Sequence, residues 1–341
     1  FLAINSSFCA NITNKIMEEC WEALTQTLSK FVPSAHDFML QHKLIQLGTT
    51  ATNLPLNRYC NIIPFDFTLV SLKSQSYLNA SIMNIPNITQ PFIIAQCPMH
   101  PLWYGPDTTN EFWEMICEHS ISTIVNLAKI EKGFGGASLY WPLHEGEIFS
   151  CNSYQIKCIH AETLEEGCLI RRKLSVSPLS AACSNTENDS HYLNHYHFTQ
   201  WPNYDVANST NSTKLLLNYV LEERMTTMES NAATVVHCSG GVGRSGTFVT
   251  AISAIEQLRL EKGRTGEKEG KDEKNGKEDS VIDTSTLSLR LYDIVKILRE
   301  QRHPWMVEGN LQFLFCKRIV EETIAQNEND SQEVQPSSRK V

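Results

Sequence analysis

The stretch around residue 240 leaves the chain little choice of fold. Thr234-Val235-Val236-His237 is β-branched and short, as a buried strand is, and residues 246–258 carry a helical pattern. Between them lies Cys238-Ser239-Gly240-Gly241-Val242-Gly243-Arg244-Ser245. A strand, a glycine-rich loop and a helix in that order turn backbone N–H groups toward an anion at the helix N-terminus. A thiol at this place has its charged form favoured by the N–H groups and the helix dipole, although an ordinary thiol, with a pKa of about 8.5, is mostly protonated at neutral pH. The glycines Gly240, Gly241 and Gly243 allow the backbone to close tightly around a ligand.

Each remaining residue of the loop has a chemical use. Arg244 carries a planar fork that matches two oxygens of a phosphate. Ser245 places a hydroxyl beside Cys238, able to donate to a thiolate or to help the sulfur leave. His237 reads as a buried orienter of the loop rather than an acid or base. A lone cysteine would read as a core thiol, but the whole string between strand and helix points to a cysteine nucleophile holding an oxyanion.

The rest of the chain sets bounds on that reading. A net charge of −9 over 341 residues argues against a nucleic-acid binder. Eleven cysteines with no C-x-x-C pair suggest reduced thiols rather than a zinc ribbon or a disulfide framework, which points to a cytoplasmic protein. No segment approaches 18 consecutive apolar residues, so no membrane segment is expected. Apolar spacing predicts helices over 13–31, 37–47, 110–116 and 285–299, and strands near 91–96, 122–127, 154–159 and 168–174. Residues 261–280 hold 13 charged residues in 20 with both signs interleaved, and read as a disordered surface insert. The expected organisation is an N-terminal helical extension over 1–35, a domain over 36–325 containing that insert, and a polar tail over 326–341.

The Cys238 loop resembles the signature of the protein tyrosine phosphatases, and the resemblance runs along the chain. Asn57-Arg58-Tyr59 with Pro64-Phe65-Asp66 resembles the family's phosphotyrosine-recognition loop, and Tyr77-Leu78-Asn79-Ala80-Ser81 is similar to its Tyr-Ile-Asn-Ala-Ser stretch. Further matches are residues 92–98, 112–115, Glu131-Lys132-Gly133 and Tyr140-Trp141-Pro142, then the acid loop His197-Phe198-Thr199-Gln200-Trp201-Pro202 and the segment from Arg299 and Arg302 to Gln312. Dual-specificity and lipid phosphatases share the cysteine loop but lack the Asn-Arg-Tyr element.

The resemblance implies an α/β fold, a highly twisted mixed sheet flanked by helices, in a single non-receptor-like catalytic domain. It implies phosphotyrosine-containing proteins as substrates and partners, and no cofactor or metal. Tyr59 would stack on the phenyl ring in a deep cleft, and Cys238 would attack phosphorus to form a cysteinyl phosphate. Arg244 and the amides of Ser239, Gly240, Gly241, Val242 and Gly243 would hold the phosphoryl oxygens. The resemblance also gives Glu131 the task of orienting the arginine, Trp201 the hinge of the moving loop, and Gln312 the placing of the hydrolytic water.

Three positions depart from the pattern. The acid loop reads Trp201-Pro202-Asn203 where the family has Trp-Pro-Asp, and an amide cannot donate the proton the leaving group needs. Asp205, two residues on, is either a displaced acid or a solvated turn residue, the second being favoured. Glu308 stands where the family has a water-positioning Gln, putting a carboxylate near a dianion or supplying a base for the water. Gly136 falls where the family has a Lys. The expected activity is therefore an attenuated phosphotyrosine phosphatase, with a phosphotyrosine-binding, substrate-trapping module as the alternative.

Overall fold

The computed structural model describes Glu22 and residues 43–133, 135–179, 190–227, 232–266 and 284–333. Apart from Glu22, the helix expected over 13–31 lies outside these, as do most of that over 37–47 and residues 267–280 of the insert. Residues 43–47 form turns rather than the end of a helix.

Eight strands form one mixed sheet: β1 (Ala80–Met83), β2 (Phe92–Ala95), β3 (Thr123–Asn126), β4 (Ile148–Ser150), β5 (Tyr154–Glu165), β6 (Leu169–Pro178), β7 (His191–Phe198) and β8 (Thr234–His237). Their order across the sheet is β1-β2-β8-β3-β7-β6-β5-β4. Strands β2, β8, β3 and β7 run parallel in the middle, with antiparallel pairs on both flanks. Five α-helices among the described residues flank the sheet: α1 (Thr109–Glu118), α2 (Thr210–Thr226), α3 (Gly243–Gly266), α4 (Thr284–Gln301) and α5 (Asn310–Glu333).

The central strands are apolar on both faces because both faces are covered. In β8, Val235 joins a core cluster with Phe112, Trp113 and Ile116 of α1, while Val236 joins the cluster formed with α2 to α5. The alternation repeats in β2, through Ile93 and Ile94, and in β3, through Ile124 and Val125. Helix α3 therefore leaves the end of β8 and runs back through the larger cluster, burying Val249, Ile252 and Ile255.

Several elements depart from expectation. The strands expected over 154–159 and 168–174 are one long hairpin, β5 and β6, with register irregularities at Cys158/His160 and Thr163/Glu165. Helix α3 reaches Gly266, so residues 261–266 of the charged insert continue it. Helix α5 runs to Glu333, into the segment read as a tail. No helix among the described residues is long and apolar enough to cross a membrane.

Candidate active site

Cys238 follows β8 directly, at the carboxyl ends of the parallel strands, where open α/β sheets bind their ligands. The loop after it turns its carbonyls away from the sulfur. Ser239 O accepts from Cys97 N at 2.9 Å, and Gly240 O and Gly241 O accept from buried Arg302 at 3.3 and 2.7 Å. Val242 O accepts from Gly246 N at 2.8 Å and Gly243 O from Thr247 Oγ1 at 2.8 Å. A trans peptide sets each following N–H opposite its carbonyl, so the N–H groups of 240–244 face inward together. At Gly241 the backbone has φ +69° and a Cβ would collide with the Ala95 carbonyl, so the turn requires glycine.

Cys238 is 3% exposed. Burial by itself would push its thiol up. The Arg244 guanidinium, the Ser245 hydroxyl and the N–H groups of Ser245 and Val242 outweigh that and hold it below the ordinary thiol range. Ser245 Oγ is fully buried and has no nitrogen or oxygen partner among the described residues, which leaves it to the sulfur. His237 bonds the Cys238 carbonyl through Nδ1 at 3.1 Å and Tyr140 OH through Nε2 at 2.6 Å. Burial drives its pKa down to about 3, so it is neutral at physiological pH and orients the loop.

Arg244 is likewise buried, and four carbonyl-type oxygens surround its guanidinium. Nη1 donates to Leu127 O at 3.3 Å and Trp201 O at 3.2 Å; Nη2 donates to Gly135 O at 3.0 Å and to Asn203 Oδ1 at 3.0 Å. Nε has no partner among the described residues. On the opposite wall Tyr59 OH bonds Ser239 Oγ at 2.8 Å and accepts from Gly135 N at 3.1 Å, while its ring lies against Gly240. Arg58, buried beneath, donates to Ser239 Oγ at 3.0 Å and to Gly133 O and Gly136 O at 2.7 and 2.9 Å.

The acid loop lies down on this arrangement. Trp201 is packed edge-on against Phe315, with its indole N–H on Asp205 O at 3.0 Å. The space above Cys238, bounded by Tyr59, Asn203, Tyr204, Arg244 and Glu308, is only about 20 Å³. A larger cavity of about 550 Å³ opens on the other side of the loop, between Lys129, Glu131, Thr199 and Pro202. The deep cleft expected from the resemblance is closed in this conformation.

The family model for the protein-tyrosine phosphatase domain matches residues 53–322, most of the chain, from before β1 into α5. The chain belongs to the protein-tyrosine phosphatase family. It is 28% identical to the human receptor-type tyrosine-protein phosphatase eta over 82% of this chain and 18% of that protein. It is 26% identical to the mouse tyrosine-protein phosphatase non-receptor type 13 over 80% of this chain and 10% of that protein. A shorter match, at 29%, is the mouse non-receptor type 2 enzyme, over 61% of this chain and 48% of its own length. The chain thus spans about a fifth or less of the first two relatives and about half of the third.

Some positions of this tyrosine phosphatase domain are not where the resemblance would put them to use. Glu131 is exposed at the rim of the larger cavity and forms no ion pair with Arg244, whose orientation comes from the three backbone carbonyls and Asn203. Asp205 is exposed, and its carboxylate accepts from Val206 N at 2.8 Å outside the space over Cys238, the geometry of a turn residue. Gln312, 2% exposed, has its amide committed to Glu308 N at 3.0 Å, Asp205 O at 3.2 Å and Thr247 Oγ1 at 3.3 Å. A Cβ on Gly136 would collide with the Glu131 backbone, so the lysine of the family pattern is incompatible with this course of the chain.

Sequence reasoning gave no role to Arg58, Arg302 or Tyr204. The two arginines fix the loop from behind, and a buried arginine leaves no trace in hydrophobic periodicity. Tyr204 stands 72% exposed at the cleft mouth with φ +61°.

Proposed function

We propose that this domain hydrolyses phosphotyrosine in proteins through a cysteinyl-phosphate intermediate, at an attenuated rate. The observation that carries the reading is the Cys238 thiol held below its ordinary range inside a ring of inward N–H groups, beside an arginine whose Nε–H is unpartnered. The thiolate attacks phosphorus; the loop amides and Arg244 take the charge that develops on the equatorial oxygens. Tyr59, fixed to the loop by its hydroxyl, presents its ring as the wall against which a substrate phenyl ring stacks. Attenuation follows from Asn203, whose amide has no acidic proton to give the departing tyrosyl oxygen. General acid catalysis is worth roughly 10²–10⁴-fold, so a domain that cannot take this proton from its acid loop turns over more slowly without losing activity.

A second reading is favoured by one contact. Asn203 Oδ1 occupies Nη2 of Arg244, a donor that phosphate needs, and this suits a module that binds phosphotyrosine proteins with little turnover. Phosphate release from a phosphotyrosine peptide, abolished in Cys238→Ser, supports the enzyme; peptide binding without release supports the module. Phosphotyrosine proteins are the proposed partners in either case. The eight described cysteines are all unpaired, in keeping with a proposed cytoplasmic setting.

A further inference from the structure

Resting on the phosphatase reading above, we propose that Glu308 serves as the proton donor and acceptor of this site, in place of the acid-loop aspartate. A proton must pass to the tyrosyl oxygen lying across phosphorus from Cys238, and later leave the water that attacks from the same side.

Four titratable groups besides Cys238 line the space over the sulfur: Tyr59, Tyr204, Arg244 and Glu308. Arg244 keeps its protons at any relevant pH. The Tyr59 hydroxyl is committed to Ser239 and Gly135. Burial and the neighbouring Tyr59 and Glu308 raise the Tyr204 phenol, leaving it a weak acid at the mouth. Asp205 faces outward onto its own loop. Glu308 is the one carboxyl group among the described residues that lines this space.

Its placement is built rather than incidental. The carboxylate lies where a Cβ of Gly243 would be, directly over the residue before Arg244, so the missing side chain at 243 makes its room. The backbone of Glu308 is held by its N–H on Gln312 Oε1 at 3.0 Å. The preceding residue, Val307, has φ +60°, a conformation a β-branched residue rarely adopts. Arg299, inside the fold, keeps it there by donating to Met306 O at 2.9 Å and Val307 O at 3.0 Å. The residue is exposed as a whole, while its carboxyl head dips into the cleft. Burial of that head pushes Glu308 above the ordinary carboxylate range, and Arg244 offsets this only in part. A carboxyl group raised in this way holds its proton more readily than an ordinary carboxylate, which suits a group that must both donate and accept one.

The two steps balance. In the first, the Cys238 thiolate forms the S–P bond, the P–O bond to tyrosine breaks, and the Glu308 proton goes to the leaving oxygen, giving neutral phenol and a carboxylate. In the second, water oxygen bonds phosphorus, the S–P bond breaks, and the water proton returns to Glu308 as phosphate and thiolate are released.

The test compares wild type with the isosteric Glu308→Gln in the full chain, on a phosphotyrosine peptide and on an aryl phosphate with an activated leaving group. The expected result is a fall in kcat/KM on the peptide by roughly 10²–10⁴-fold, with kcat/KM on the activated substrate, which reports only through phosphorylation of Cys238, little changed. The basic limb of the peptide's kcat/KM profile should flatten, and phosphorylated Cys238 should accumulate during turnover of the activated substrate, whose kcat falls with the slowed second step. The unchanged kcat/KM on the activated substrate also shows that the variant is folded. If Glu308→Gln keeps the peptide rate and pH limb, or accelerates, Glu308 is a repelling group and this proposal falls while the phosphatase reading stands. If wild type releases phosphate from neither substrate, both fall together.

Discussion

Asn203 makes a contact whose removal should strengthen binding rather than weaken it. An oxyanion taken bidentately by Arg244 uses the edge formed by Nε and Nη2. Nε has no partner among the described residues, but Nη2 already donates to Gly135 O and Asn203 Oδ1, both at 3.0 Å. A ligand must therefore displace the amide oxygen first. A hydrogen bond to a charged group is worth about 1.5–3 kcal/mol net. Asn203 is exposed, and ordering its side chain has its own cost, so ~1 kcal/mol is the reasonable share. That corresponds to about a fivefold change in Kd. Asn203→Ala should bind tungstate, a tetrahedral oxyanion, about fivefold more tightly than wild type. Asn203→Asp puts a full charge on Nη2 and should bind it more weakly, with the difference shrinking at high salt. Isothermal titration calorimetry on the three proteins gives the order directly. An Ala variant that binds no tighter than wild type would refute the idea that the acid loop occupies the arginine.

Two other outcomes follow from the same geometry. Tyr59→Ala removes both the stacking wall and the hydroxyl bonded to Ser239 and Gly135, so kcat/KM on phosphotyrosine peptides should fall by an order of magnitude or more while small aryl phosphates suffer less; equal losses on both would contradict the stacking role. The buried histidines make the fold acid-labile: burial lowers His237 to about 3 and His197 to about 4, and burial and Arg172 hold His195 well below the usual range. Their folded pKa values lie below the unfolded one, so their stabilisation is complete above pH 6.5 and is lost as pH falls below it, at up to ~1.4 kcal/mol per pH unit for each. Urea midpoints should drop between pH 7 and 5, and equal midpoints would show that these groups are not buried neutral.

The sequence is most legible where chemistry and fold are local. The strand, glycine loop and helix around Cys238 lie within some twenty residues, so their order alone specifies the geometry. The partners of Arg244 were not legible, because three of them are backbone carbonyls of Leu127, Gly135 and Trp201, brought in from distant loops without regard to side-chain type. For the same reason Glu131 looked like the orienting group. Strands β1 and β7 escaped notice because Asn79 at the head of β1, Ser81, His195 and His197 are buried polar residues that break the apolar pattern, bonded instead to Arg302, Arg302, Tyr140 and the Ala128 carbonyl. Helix α2 starts with Thr210, Asn211, Ser212 and Thr213, poor helix formers, and is begun instead by the Ser209 hydroxyl accepting from Ser212 N at 3.2 Å.

The nucleophilic role of Cys238 is tested most directly by single-turnover phosphate release from a phosphotyrosine peptide, with acid quench and mass analysis of the protein. Wild type should release phosphate and pass through an adduct on Cys238, while Cys238→Ser should bind the peptide and release none, an alcohol being far less ionised than this thiol. The yield of adduct should rise with pH through a pKa below the ordinary thiol value. Equal release by wild type and Cys238→Ser, or release with no phosphate ever found on Cys238, would contradict the account.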